Sequence, residues 1–313
     1  MSVRVDAGAE TVHWGYFDAA LAPIVTIDSG DTVTIGSVSG PPDVMPGPPF
    51  KIPPALPAIH QATTRRMVPG HMCTGPVAVR GARAGQVLQV DIEAIDLAYD
   101  WGYVSHRPLV GALPYDFPER DLIHPTLDGK RMVGHLPWGM EIALKPFFGV
   151  MGVAPPPAWG AISTLPPRQN GGNLDNKELT AGTTLYLPIF VDGALFSAGD
   201  GHAVQGDGEV CLTALETCMR GTFELIVRKD LNVKFPRAET PTHHITMGLD
   251  VDLDDAAKQA LREMIKLLGE LAQLPPADAY TLCSLACDLR VTQLVDGNKG
   301  IHAMLDKKFV PGA

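Results

Sequence analysis

The stretch "GDGHAVQGDGE" at 199–209 sets Asp200, His202, Asp207 and Glu209 close together and places glycine at 199, 201, 206 and 208. Carboxylates and imidazole bind divalent cations and serve as the acids and bases of hydrolysis. Glycine lets the chain turn tightly and a ligand approach closely. The apolar "ALF" at 194–196 reads as the end of a strand feeding a tight loop, whose polar groups then stand at one end of a sheet. Asp and Gly also build ordinary hydrated turns, so a surface turn is the plain alternative. A second constrained acid is Asp175 in "NGGNLDNKEL" (170–179). It joins the first cluster if the two loops meet, and is otherwise a turn residue.

The other reactive side chains are scattered. The ten histidines form no HExxH pattern, and the five cysteines (Cys73, Cys211, Cys218, Cys283, Cys287) form neither a zinc pattern nor an even disulfide framework. His13 beside Trp14 and His60 in "IHQATTRR" are candidates for helpers in a pocket, or structural hydrogen-bonders. "GSVSG" at 36–40 has Val38 where a nucleophile elbow needs serine. Cys211, two residues after Glu209, would suit a thiol with a carboxylate base, while a structural thiol is the simpler reading.

Elements able to hold such a site follow from three similar segments, 25–35, 77–92 and 176–190. In each, a glycine (Gly30, Gly85, Gly182) precedes alternating apolar residues such as Val33/Ile35, Leu88/Val90 and Leu185/Leu187. A turn glycine followed by a period of two predicts a strand start in all three. Proline-rich stretches at 39–57 and 154–172 cannot be central strands or helices, and long ordered loops of this kind serve as lids or subunit contacts. From 251 the pattern turns helical: Ala257, Leu261, Met264, Ile265, Leu268 and Leu271 recur on one face behind acids at 252–255. "PPADAYTLCSLACDLRV" then predicts a second helix carrying Ala279, Leu282, Ala286 and Leu289. The expected organisation is a mainly β body over 1–250 with a helical segment over 251–313 packed on the same domain.

At 45% hydrophobic and 19% charged residues the chain is globular, and its formal net charge of -10 argues against nucleic acid or an anionic membrane as partner. No stretch is apolar for long enough to span a bilayer and the first residues lack a signal-peptide pattern, so a cytoplasmic location is expected.

The chain resembles the acetamidase/formamidase family. The resemblance is carried by "HWGYFDAALAPIVTIDSGDTV" (13–33), "TGPVAVRGARAGQVLQV" (74–90), "PFFGVMGVAP" (146–155), the long block 171–210, and "CSLACDLRVTQLVDGNKGIHAML" (283–305). It implies a jelly-roll-like β-sandwich with additional α/β elements and hydrolysis of a small carboxamide to carboxylate and ammonia. It also implies a homodimer or homotetramer and a divalent metal, zinc or alternatively calcium, near the acidic loop. The family's polar signature falls on Asn173, Asp175, Asp200, His202, Gln205, Asp207 and Glu209. On that reading Asp175, Asp200 and His202 hold the metal, Glu209 takes the water proton and delivers it to ammonia, and Asp207 orients the loop. His13 and His60 remain the pocket helpers. If the metal is only structural, Glu209 or Asp207 acts as base without it and Cys211 returns as a nucleophile candidate. A metal-dependent binding module without chemistry is the reading from a different class.

Overall fold

The computed structural model describes residues 2–63 and 65–310. Its body is two sheets packed face to face. Nine strands form the larger sheet, in the order Ser2–Val5, Asp31–Ser37, Met219–Arg228, Val87–Leu97, Thr183–Pro188, Arg237–Glu239, His243–Asp250, Lys299–Asp306 and Cys287–Gln293. The smaller sheet runs Gly171–Asn173, Phe147–Gly152, Phe196–Val204, Met72–Val79 and Val12–Trp14. Leu215–Thr217 and Val25–Ile27 pair alongside it.

The three glycine-led segments all start strands of the larger sheet, at Asp31, Val87 and Thr183, and Gly30, Gly85 and Gly182 hold φ of 90°, 89° and 87°. That left-handed turn is open to glycine without steric cost, which is why one local pattern recurs three times. Alternation then aims Val33, Ile35, Leu88, Val90, Leu185 and Leu187 inward against Val77, Phe148, Met151 and Phe196 of the smaller sheet, in one buried cluster. Burying each such side chain contributes about 1.5–3 kcal/mol, and this shared core makes the two sheets a sandwich.

The C-terminal pair of helices is present as α2 (Leu253–Ala272) and α3 (Pro276–Ala286). Asp252 caps α2, accepting hydrogen bonds from the backbone N–H of Asp254 and Asp255 at 2.9 and 3.1 Å. Ala256, Ala260, Met264, Leu267 and Leu268 are buried against Ile301, Ala303 and Leu305 of the sheet. The second helix is shorter than the sequence pattern predicts. Leu289 lies on the strand Cys287–Gln293, because that segment pairs antiparallel with Lys299–Asp306, so residues 251–313 also supply two strands. Among the described residues no helix is long and apolar enough to cross a membrane.

Candidate active site

The acidic block is a strand before it is a loop. Asp200 and His202 sit in Phe196–Val204, a central strand of the smaller sheet that is buried almost throughout. Its glycines serve close packing as well as turning. A Cβ on Gly199 would collide with the Met72 carbonyl oxygen, and one on Gly201 would lie 2.5 Å from the Thr217 carbonyl oxygen. The chain leaves the sheet at Gln205, and the loop that follows is tied to the C-terminal strands. Gly208 N donates to Thr292 O at 3.1 Å, and Leu294 N donates to Gly208 O at 3.1 Å.

This topology brings Asp175, Asp200 and His202 together, all buried, with ligand atoms within 4.8 Å of one another. Two overlapping groups share the same limit: His202 with Glu209 and Glu216, and Asp175 with Glu209 and Asp296. His202 stands at the centre. Its Nε2 is 3.1 Å from Asp200 Oδ2 and 3.3 Å from Glu216 Oε1, its Nδ1 is 2.9 Å from Gln205 Oε1, and the Phe147 ring meets it edge-on at 5.0 Å. Gln205 Nε2 donates to the Asp175 carbonyl at 2.8 Å, which turns Gln205 Oε1 toward the imidazole. Nδ1 therefore carries the hydrogen, and Nε2 faces two carboxylates with its lone pair. A positive group, proton or cation, must lie between them.

Five carboxyl groups buried around one or two imidazoles cannot all be ionised unaided. Among the described residues every ion pair of Asp175, Asp200 and Glu216 is with His71 or His202. Burial, with Glu209 and Asp296 nearby, pushes Asp175 well up, and burial does the same to Glu209. Burial also raises Glu216, and it raises Asp296 to about 6. Against the same burial, His71 and His202 hold Asp200 below the usual carboxylate range, and Glu216 and Asp200 lift His202 above its ordinary value. Asp175, Asp200 and Glu209 also hold left-handed backbone, at φ of 46°, 60° and 44°. Non-glycine residues adopt that region at a cost of order 1–3 kcal/mol each, tolerated where the surrounding structure enforces it.

The remaining sequence candidates are not members of these three groups. Asp207 is exposed and its Oδ1 pairs with Lys177 Nζ at 3.0 Å. His60, on α1 (Ala55–Ala62), bonds the Gly40 carbonyl at 3.1 Å and packs on the Trp14 ring. Cys211 donates to Thr213 O at 3.5 Å and has no carboxylate partner among the described residues. Asn173 is buried on the strand beside Phe147–Gly152, and its Oδ1 has no hydrogen-bond partner.

His13 is fully engaged elsewhere. Its Nδ1 donates to Tyr16 O at 2.6 Å, so its Nε2 accepts from Ser197 Oγ at 3.0 Å, and this clamps Val12–Trp14 to the central strand. Burial lowers its pKa to about 4. The unfolded imidazole titrates near 6.5, so between those values protons favour the unfolded chain. The stability from the neutral ring is complete above pH 6.5 and is lost as pH falls toward 4. His13→Phe leaves two buried groups unpaired, which costs about 1–3 kcal/mol at pH 7.5. Urea denaturation at pH 7.5 and 5 should show that loss and a shallower decline with acid than the wild type; equal slopes would mean that the ring does not titrate as described.

Sequence reasoning missed Glu216, Asp296 and Gly149, and left His71 among the scattered histidines. Glu216 in "ALETC" carries no local signal, and Asp296 in "VDGNKG", though inside the 283–305 block, reads as an ordinary turn residue; the fold brings both to Glu209. Gly149 had a signal: it lies inside "PFFGVMGVAP" and its φ is not left-handed, so a space requirement explains it. A Cβ there would stand 2.5 Å from Asp175 Oδ1, 2.7 Å from Asp200 Oδ2 and 2.8 Å from His202 Cε1.

Comparison with known proteins bears on what this site does. The model of the Acetamidase/Formamidase family matches residues 59–159 and 156–305. An acetamidase of Mycolicibacterium smegmatis is 29% identical over an alignment of 202 residues that covers 46% of this chain and 50% of that protein. A formamidase of Methylophilus methylotrophus is 28% identical over an alignment of 257 residues that covers 60% of this chain and 61% of that protein. The alignments thus span about half to three-fifths of those relatives' lengths. The crystal structure of an acetamidase from Bacillus halodurans matches with a TM-score of 0.85 at 30% identity, covering 98% of each chain.

Proposed function

The chain belongs to the acetamidase/formamidase family, and from that premise we propose that it is an amidohydrolase cleaving the C–N bond of a small carboxamide such as formamide or acetamide. The observation that carries this reading is the buried convergence of Asp175, Asp200, His202 and Glu209 in one cluster of overlapping groups. Acetamidase and formamidase are the names of its relatives, and the same cluster of acids and imidazole supports the chemistry that those names describe.

A divalent cation fits the residues present. Both Asp175 carboxyl oxygens, Glu209 Oε2 and Asp296 Oδ2 are buried without a hydrogen-bond partner, and a Cβ at Gly149 would press on Asp175 Oδ1, Asp200 Oδ2 and His202 Cε1. Asp175, Asp200 and His202 would hold the ion. The single imidazole among oxygen donors suits zinc, with calcium as the oxygen-rich alternative. When bound, such a cation polarises the amide carbonyl and makes water more acidic.

The side chains supply the proton transfers. Glu209, raised by burial and therefore a strong base once ionised, takes a proton from water as the water oxygen bonds to the carbonyl carbon. It then gives that proton to the amide nitrogen as the C–N bond breaks, releasing ammonia and leaving the carboxylic acid, which ionises to the carboxylate as ammonia takes up its proton as ammonium. Gln205 keeps His202 in one tautomer and orientation. Asp207 holds Lys177 at the edge of the loop and takes no proton in this scheme.

Formamide and acetamide differ by one methyl, worth only about 1–3 kcal/mol of discrimination in a pocket, so turnover of both is expected. Ammonia release from a panel of small amides tests the proposal. Release above the rate of heat-inactivated protein is the expected result, and none from any amide would leave a cation-dependent binding module.

A further inference from the structure

We propose that Cys283 and Cys287 form a reactive dithiol, a modification site that a small peroxide closes to an internal disulfide and a thiol reductant reopens. The proposal goes beyond the amidase reading and stands whether or not the chain cleaves amides.

The two cysteines stand four residues apart, where α3 gives way to the strand Cys287–Gln293. Cys287 N donates to Cys283 O, which closes the last turn of the helix. Four residues at a rise of about 1.5 Å set the Cα atoms about 6 Å apart with both side chains on one face, within the span of about 4.4–6.8 Å that a disulfide bridges. Both side chains enter one apolar cluster with Met264, Ala279 and Leu305, and their thiols hydrogen-bond to each other. The other three cysteines bond backbone instead: Cys73 to His71 O at 4.0 Å, Cys211 to Thr213 O at 3.5 Å, and Cys218 to the backbone of Ser39.

Contact between the sulfurs divides their roles. The Cys287 S–H donates to Cys283, and this bond holds the Cys283 thiol below its ordinary range and Cys287 above it, with burial adding to the second. Burial alone pushes Cys73 well up and Cys218 up to about 12. The thiolate is the form that attacks a peroxide, so Cys283 reacts first. Access suits an oxidant little larger than water, since Cys283 is 3% exposed and Cys287 half-buried, at the end of a surface helix that buries just Ala279 and Cys283. Cys283 Sγ takes one oxygen of hydrogen peroxide as the O–O bond breaks, and the departing hydroxide becomes water with the proton that Cys283 released. Cys287 Sγ then bonds to Cys283 Sγ, the S–O bond breaks, and hydroxide leaves with the Cys287 proton as a second water. The sulfurs give two electrons to the peroxide, and a dithiol reductant returns them.

Trypsin, cutting after Lys266 and Arg290, releases residues 267–290 as one peptide that holds both cysteines. The full chain is exposed briefly to a few equivalents of hydrogen peroxide, blocked with N-ethylmaleimide in denaturant, digested and weighed by mass spectrometry. This peptide should be lighter by two hydrogens and unlabelled, and dithiothreitol should restore both thiols. Closure should outpace loss of the Cys211 thiol at least about tenfold. In Cys287→Ser, with the fold checked by circular dichroism, the link should vanish and Cys283 should carry a sulfenic acid that dimedone traps. A wild-type peptide that stays doubly labelled, gains oxygen without the internal link, or crosslinks to another cysteine would overturn the proposal.

Discussion

Glu209→Gln keeps the fold and removes turnover. Loss of a positioned proton-transfer group costs about 10²–10⁴ in rate, and kcat/KM for formamide or acetamide should fall by that much. Glutamine matches glutamate in shape, and Glu209 is 6% exposed with its Oε2 lacking any hydrogen-bond partner, so packing around it barely changes. The neutral amide also removes like-charge repulsion with Asp296 and Glu216. The variant should therefore melt at the wild-type temperature or above it, since sites assembled for chemistry carry strain that their loss relieves. Activity and thermal melts measured together check both halves. Full activity would remove Glu209 from the proton path, and a lower melting temperature would show that its carboxylate is structural.

Gly149→Ala tests the packing of the cluster against its neighbouring strand. Gly149 lies in the buried strand Phe147–Gly152, paired to the strand that carries Asp200 and His202, and its φ is outside the left-handed region, so alanine strains no backbone dihedral. What alanine adds is one methyl group less than 3.0 Å from Asp175 Oδ1, Asp200 Oδ2 and His202 Cε1 together. These three side chains are packed too tightly to yield freely, and overpacking of this kind costs about 1–3 kcal/mol. Displacing reacting groups by about 1 Å can cost 10²-fold in rate, so kcat/KM should fall at least that far and the bound cation should be lost. Wild-type kinetics in this variant would mean that the space before Gly149 is not where the substrate reacts.

Local physics made much of this fold legible in the sequence. The turn glycines at 30, 85 and 182 and the alternation behind them marked three strands of one sheet, and Asp252 with its following acids marked the start of α2. The pattern misled where a pairing partner decided the outcome. Leu289 fits a helical face as well as a strand, and it is a strand because Lys299–Asp306 lies beside it. Glycines around Asp200 read as a loop, whereas Gly199 and Gly201 are needed because neighbouring backbones press against them inside a sheet. For the site, the acids clustered in sequence were visible, and so was the condition that Asp175 must come from a separate loop. Glu216, Asp296 and His71 were not, because nothing in their local sequence encodes a meeting set by strands distant along the chain. His13, beside Trp14 in sequence, is buried with a backbone and a hydroxyl partner, and the half-buried His60 bonds a backbone carbonyl; neither partner could be read from the local sequence.

The central claim is that Asp175, Asp200 and His202 hold a cation in the cluster where Glu209 works. Elemental analysis of the purified wild type beside Asp200→Asn, each after dialysis against metal-free buffer and reloading with zinc or calcium, tests it most directly. The account predicts tightly held metal in the wild type and loss of most of it in Asp200→Asn with the fold intact by circular dichroism; equal metal content in the two proteins would contradict it.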